Sequence, residues 1–428
     1  MMHYTVKRLS YLPLYGICLL SALFLSQPGM AQLTIAQCYA LARQQYPLTK
    51  QLSLIEKTRD FTVDNIARGW WPQFSVNGQA SYQSAVTQVP IALPNIAIPV
   101  LSKDQYKLYA DLYQPLTDGY TISKQKALAA GNASTQVAQL EVELYKLKER
   151  INQLFFGILL ADLQIVQNKL LEQDIANGLD KVKAAIANGT ALKSSASLLE
   201  AELLKARQRS IEIKAGRNAY ASMLSVFINQ PVTDTTSLQM PQPAVSTATI
   251  NRPEMQWYQA QKASITIQQQ LIKAKTTPRL GLFGQGGYGK PGLNMLSNEF
   301  AGYYVGGLRL NWSITGFYTA KKEKAILQVQ QEGIQLQQEN FLLNTRIQLA
   351  QQNHELQKYQ ELLSTDQQII ELRAAVKATA ANQLQNGTIT GIDYLSYVNA
   401  EDMARQNLLL HQVQWLMTQY NISTTTGN

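Results

Sequence analysis

The sequence of 428 residues is poor in the side chains that most often carry chemistry. It has two cysteines and three histidines, which excludes a disulfide scaffold and a Cys/His zinc site. Charged residues make up only 16%, against about 25% in ordinary globular chains. Lys and Arg (38) outnumber Asp and Glu (29), but the excess is scattered along the chain. It forms no basic stripe, so a nucleic-acid partner is not expected. Beyond residue 31 no uninterrupted apolar run approaches the length of a membrane-spanning helix, and the mean hydropathy is −0.17. No Ser/His/Asp or Cys/His set suggests catalysis, so neither an enzyme nor a cofactor is expected. Proline is missing from Leu116 to Gln230 and again from Gly292 to the end. That leaves room for very long helices.

What is present begins with an export signal. Lys7 and Arg8 precede an uncharged run from Tyr11 to Leu25, and Gly29 and Ala31 supply the small residues of a cleavage site before Gln32. The apolar run is too short to span a bilayer. Cys18 lacks a small residue before it, because Ile17 stands there, which argues against a lipoprotein. Residues 1–31 are therefore expected to be a signal peptide, leaving Cys38 as the one cysteine of the mature chain.

The remainder repeats itself. Asn188-Gly189-Thr190 recurs 198 residues later as Asn386-Gly387-Thr388, and Ala206-Arg207-Gln208 recurs at the same spacing as Ala404-Arg405-Gln406. Asp118-Gly119-Tyr120 and Thr315-Gly316-Phe317 form a third pair, and Trp71-Pro72 and Thr277-Pro278 open similar segments upstream. Such spacing implies two equivalent halves, about 32–230 and 251–422, within one body and joined by a Pro/Thr-rich connector at 231–250.

Each half carries two strand-like segments, at about 72–83, 106–116, 279–289 and 303–313. From Gln73 to Gln83 the chain alternates: Phe74, Val76, Gly78, Ala80 and Tyr82 on one face, Gln and Ser and Asn on the other. Leu108, Ala110 and Leu112 oppose Lys107 and Asp111, Leu280, Leu282 and Tyr288 oppose Arg279 and Gln285, and Tyr304, Leu308 and Leu310 oppose Arg309 and Asn311. Segments of about 10 residues with aromatics towards their ends suit an outer-membrane strand; an ordinary sheet with one wet face alternates equally well. The connector at 84–104 is apolar and proline-containing, and is expected to pack over a barrel mouth or against a neighbouring subunit.

The rest reads as long helix. Leu140, Leu144, Leu147, Ile151, Leu154, Ile158, Ala161 and Ile165 follow the alternating 4-3 spacing of a coiled-coil seam. A helix from Gly119 to Asn188, and its counterpart from Gly316 to about Asn386, would each extend roughly 105 Å. Asn-Gly ends both, and Ser194 or Ser195 in one half and Thr390 and Asp393 in the other are positioned to start the returning helices. Four strands cannot close a barrel, and open edges are not tolerated in lipid. Membrane strands would therefore require several copies to share one barrel, eight strands from two copies or twelve from three.

This organisation resembles the outer membrane efflux protein family, the TolC-like channels. The resemblance rests on Leu33-Thr34-Ile35-Ala36-Gln37-Cys38, the junction Gln114-Pro115-Leu116-Thr117-Asp118-Gly119, Asn251-Arg252-Pro253-Glu254, and the hairpin tips Ala187–Thr190 and Gln385–Thr388. It implies a mainly α fold with a membrane β-barrel portion. Antiparallel helical hairpins would form a periplasmic α-barrel, and four strands per chain would join a shared 12-stranded trimeric barrel. It also implies a homotrimer in outer-membrane lipid, extending into the periplasm. Such a trimer would serve as the passive exit duct of a tripartite efflux or type I secretion system, with a periplasmic adaptor and an inner-membrane transporter as partners. Asn188, Gly189, Thr190, Asn386, Gly387 and Thr388 would contact the adaptor, and Asp393 would fall on the family's acidic gate. Ser396 stands where a second acidic residue is usual, which leaves one acidic ring. The alternative is a periplasmic coiled-coil adaptor or structural protein with soluble strands.

Two motifs point elsewhere and are set aside. Gly284-Gln285-Gly286-Gly287-Tyr288-Gly289-Lys290 matches glycine patterns of nucleotide sites, but Pro291 stands where Ser or Thr should follow. His354 and His411 have no partners at metal-ligand spacing.

Overall fold

The computed structural model describes residues 32–88, 100–244 and 249–428. The signal-peptide expectation at 1–31, most of the 84–104 connector and part of the 231–250 segment lie outside the described residues. The elements run α1 (Ile35–Gln45), α2 (Gln51–Ala67), β1 (Gln73–Tyr82), β2 (Asp104–Pro115), α3 (Gly119–Tyr145), α4 (Leu147–Ala187), α5 (Lys193–Ile228), α6 (Pro253–Lys275), β3 (Arg279–Lys290), β4 (Ala301–Asn311), α7 (Gly316–Gln385) and α8 (Gly391–Thr426).

The duplication is visible element by element. The returning helices α5 and α8 each have 36 residues, and α3 with α4 corresponds to the single 70-residue α7. The halves differ in two places. The opening helix of the first half is broken after Gln45, where Pro47 starts a short 3-10 turn; Pro disfavours the helical conformation of Tyr46 before it and lacks an N–H. Its counterpart α6 runs unbroken from Pro253. The helix expected from Gly119 to Asn188 is interrupted at Lys146, between α3 and α4.

The chain divides into two compact units, each drawing on both repeats. The first comprises residues 32–46, 147–244 and 350–424. Its α4 and α5 pack as an antiparallel pair, and a core of Leu171, Ile175, Leu179, Val182, Leu199, Ala380, Leu384, Leu395 and Val398 joins the hairpins of the two halves. The seam expected from the spacing is buried here at Ile151, Leu154, Ile158 and Ala161. Each buried Ile or Leu of this seam stabilises the fold by about 1.5–3 kcal/mol, and Ala161 by less. By composition, the run Gly119–Ala187 is long and apolar enough to cross a membrane, which the reading by uninterrupted apolar runs did not anticipate. Phe155, Phe156, Ile158 and Leu159 within it are buried against protein, so core packing accounts for part of its apolarity.

Several polar contacts tie this unit together. The buried Arg217 donates to Asp162 (2.5 Å) and to Asp234 (3.2 Å), and also to the carbonyls of Thr233 and Thr236 (both 3.3 Å). It thereby ties the start of the connector to α4 and α5. Leu33 adds a parallel bridge to Leu238, and Thr34 and Gln37 form a reciprocal cap at the start of α1. Cys38 is fully buried beside them, and burial pushes its thiol up to about 12, against a smaller opposing backbone hydrogen bond.

The second unit comprises 47–146, 249–349 and 425–428. Here α3 packs on α6, with Gly131 facing Ile267 and Ser264 and the Ser264 hydroxyl bonded to Asn132 (2.7 Å). The same unit carries the only sheet among the described residues, an antiparallel meander in the order β1-β2-β3-β4. The four strands fall where the alternation predicts. The junction below them is closely tied. Leu116 N–H donates to Leu280, Leu280 N–H to Thr117, and the Trp312 indole to Thr276 (2.9, 2.9 and 3.0 Å), while Gly119 lies under Trp70.

Candidate functional site

The sheet has two chemically opposite faces, and among the described residues no helix or strand covers either. Cross-strand register places Phe74, Leu112 and Gly284 in one row, with Val76, Ala110 and Gly286 next, and Gly78, Leu108 and Tyr288 beyond. Continuing onto β4, this face carries Tyr304, Leu308 and Leu310. Its large side chains stand in the open: Tyr304 is 86% exposed, Phe74 68% and Leu310 65%. Folding alone does not leave so continuous an apolar surface uncovered.

Aromatic side chains bound this face at both ends. Towards the loops, Tyr82, Tyr106, Tyr288 and Phe300 are exposed, and Phe300 stacks on both Tyr106 and Tyr288. Towards the helices stand Trp70, Trp71, Trp312, Phe317 and Tyr318, also exposed. Aromatic rings at two levels flanking an apolar band match the two interfaces of a bilayer. Of the apolar 84–104 connector, the described end shows Leu101 buried and Ser102 bonded to Asn298 (2.8 Å).

The opposite face carries Gln73, Ser75, Asn77, Gln79 and Ser81 on β1, Lys107, Tyr109, Asp111 and Tyr113 on β2, and Gln285, Tyr303, Val305 and Arg309 further on. Arg309 lies 3.8 Å from Asp111 and over the ring of Phe283 at 4.5 Å. The glycine-rich Gly284–Lys290 segment lies within β3, so no loop leads into a helix and a phosphate cradle is excluded. Gly287 and Gly281 are instead covered by Tyr303 and Tyr113.

The second candidate region is the pair of hairpin tips in the first unit. Both end in the same way. Gly189 (φ +74°) donates to Ile186, and Thr190 donates to Ala185; Gly387 (φ +72°) donates to Leu384, and Thr388 to Gln383. These are paired Schellman stops, which require a left-handed residue at the glycine. The hydroxyls of Thr190 and Thr388 reach back to Ala185 and Gln383 at 3.0 Å. Asn188 and Asn386 occupy the last helical turn of each. Together the tips enclose a cleft of about 390 Å³ lined by Gly189, Thr190, Gly387, Thr388, Thr390 and Asp393, among others.

Asp393 serves the start of α8. Its carboxylate accepts from the Thr390 N–H (3.0 Å) and hydroxyl (2.7 Å), while the Asp393 N–H donates back to the Thr390 hydroxyl (3.2 Å). This reciprocal cap holds the exposed carboxyl below its ordinary range, the Thr390 hydroxyl contributing most and the backbone bond next. The first-half counterpart differs: α5 begins at Lys193 with Leu192 at the cap position and no side-chain cap. Ser194 and Ser195 thus fall inside the first turn rather than before it.

Sequence reasoning missed a cluster above the tips. Lys377 on α7 bonds Asp174 (2.8 Å) and the buried Glu401 of α8, which also receives Arg405 (2.7 Å). Burial alone would push the Lys377 amine down and the Glu401 carboxyl up. Their mutual hydrogen bonds and the other partners win, so the amine is raised and the carboxyl lowered. Only the Arg405–Glu401 pair, four apart on one helix, leaves a trace in the sequence. His411 pairs with Asp366 at 2.6 Å, and among the described residues no group of three metal-type ligands occurs.

No family model and no curated protein sequence matches the chain. Solved structures do. The outer-membrane channel OprN aligns with 92% of this chain and 89% of its own at a TM-score of 0.67 and 15% identity. CusC, described as forming a transmembrane channel, aligns over 92% and 91% at 0.68 and 12%. The outer membrane protein VceC from Vibrio cholerae aligns over 92% and 94% at 0.64 and 13%. Taken with the meander sheet and the doubled helical hairpin, these likenesses establish the architecture: the chain has the fold of the outer-membrane channel proteins.

Proposed function

We propose that the chain is one protomer of an outer-membrane efflux channel of the TolC type, a passive duct that crosses the outer membrane and continues into the periplasm. The observation that carries this reading is the isolated sheet. One face is apolar and bounded by aromatics at two levels, and the other is polar. Strands β1 and β4 stand at its two edges, and unpaired edges are not stable in hydrocarbon. Copies that join the β4 edge of one to the β1 edge of the next satisfy both, and three copies give a closed barrel of twelve strands. The same fold in OprN, CusC and VceC supports the assignment. A soluble adaptor with a water-facing sheet is disfavoured by Tyr304, Leu308 and Leu310, which would stand in water without a partner.

In this reading the cargo passes without chemistry, and the tips with Asn188, Gly189, Thr190, Asn386, Gly387 and Thr388 meet a periplasmic adaptor that links the channel to an inner-membrane transporter. Asp393 contributes one acidic ring at the periplasmic mouth. Its cap leaves the carboxylate ionised and exposed, as a ring that attracts and retards cations requires. The full-length protein should partition with outer membranes, need detergent for extraction, and conduct in planar bilayers. Native protein recovered in the soluble fraction without detergent would overturn the channel assignment. Block by multivalent cations from the periplasmic side should weaken in Asp393→Asn, and unchanged block would remove Asp393 from the gate.

A further inference from the structure

The polar face of the sheet carries more than polar residues. Row by row, Asn77, Tyr109, Gly287 and Tyr303 face one another across the four strands, and Gln79, Lys107, Gly289 and Ala301 form the neighbouring row on the same face. The two glycines have no side chains of their own. A Cβ at Gly287 would meet Tyr109 Cβ and the Tyr303 ring at 2.6 and 2.9 Å, and one at Gly289 would meet the Lys107 stem at 3.1 Å. The phenol of Tyr303 therefore leans over bare backbone, with Tyr109 and the Lys107 stem packed against the same strand. Tyr109 and Tyr303 remain half-exposed, so ring surface is presented to whatever occupies the space above the sheet.

The charge of this shelf is set by Lys107. Among the described residues it makes no ion pair, and its neighbours on this face are Gln79, Gln105 and Tyr109, none of them acidic. The carboxylate of the same face, Asp111, is held by Arg309. Arg279, at the far end, faces Asp118 at 3.7 Å. A flat apolar surface beside an uncompensated ammonium suits a ligand that is planar, aromatic and negatively charged: the π-faces stack offset on the phenols and the anion pairs with the amine. Asn77 and Gln79 add hydrogen-bonding groups at its border.

We propose that this shelf is a binding wall for planar aromatic anions inside the duct, so that the channel holds such solutes in transit in preference to aliphatic anions of equal charge. The inference rests on the channel reading, because only there does the polar face line a lumen.

The test uses the full-length oligomer in planar bilayers with 2-naphthalenesulfonate, hexanesulfonate and a naphthyl trimethylammonium cation as probes. The aromatic sulfonate is expected to reduce the open current at a concentration at least about tenfold lower than either of the others, a difference the paired stacking and charge contacts readily supply. Tyr109→Ser with Tyr303→Ser should abolish the difference between the two sulfonates, and Lys107→Gln should raise the concentration at which the aromatic sulfonate blocks, relative to each variant's own open current. Tyr109→Phe with Tyr303→Phe keeps the rings and should retain the block, which separates loss of stacking from loss of folding. Equal block by both sulfonates, stronger block by the cation, or block unaltered in the double serine variant would overturn the inference while the conductance upheld the channel. Absence of any conductance would overturn both.

Discussion

The hairpin tips show how much a single residue decides. Gly189 and Gly387 hold φ near +74° and +72°, where an alanine costs about 1–2 kcal/mol. The two stops were legible in the sequence because Asn-Gly-Thr recurs at a fixed spacing and glycine has one common use there. The role of Asp393 was only half legible. Its distance from Gly387 marks the start of a helix, but whether the carboxylate faces a pore or its own backbone depends on the rotamer, and it bonds Thr390. That bond carries a pH dependence. The folded carboxyl is depressed, so its contribution is complete above the ordinary carboxylate range near 4 and is lost as the pH falls through the lower folded value. Amide exchange at Asp393 and Tyr394 should therefore show more frequent opening at pH 3 than at pH 6, after correction for intrinsic rates. Asp393→Ala should remove the pH effect.

At the scale of elements, the strands were the most legible. Period two persists without error through β1, and a one-residue slip would invert both faces. The interruption at Lys146 left no proline or glycine to read, and nothing local distinguishes it from the uninterrupted α7. The Lys377 cluster was invisible because its members come from three helices and meet only through packing. On α7, Ile326, Val329, Leu336, Leu343 and Ile347 are all exposed, and with Gly333 and Asn340 they complete an uninterrupted 3-4 spacing. An open seam of this kind needs a second helix. On α2, Leu54 and Phe61 form a shorter exposed pair seven residues apart. Leu336→Glu with Leu343→Glu is expected to lower the oligomer fraction about tenfold or more. Helicity measured by circular dichroism should stay near that of the parent. An oligomer of unchanged stability in size-exclusion light scattering would show that the seam is not used.

For the whole molecule, the meander order has a further consequence. The first and last strands of the sheet occupy its two edges, so a ring built by edge pairing is head-to-tail: every copy gives one edge and receives the other. No copy is then spare. In the proposed barrel, a chain carrying Leu308→Lys and Leu310→Lys puts two charges into the lipid-facing band, each costing at most about 2–4 kcal/mol and less towards the interface, while its β1 edge still recruits a normal neighbour. Expressed in equal amounts with the normal chain, it should leave only roughly one ring in eight intact if three copies close the barrel. Conductance or export would then fall to that level rather than to half. A fall to half would mean that altered copies are excluded before assembly. In the proposed ring, the edge order of one small sheet would thus make a defect genetically dominant, its severity set by the number of copies.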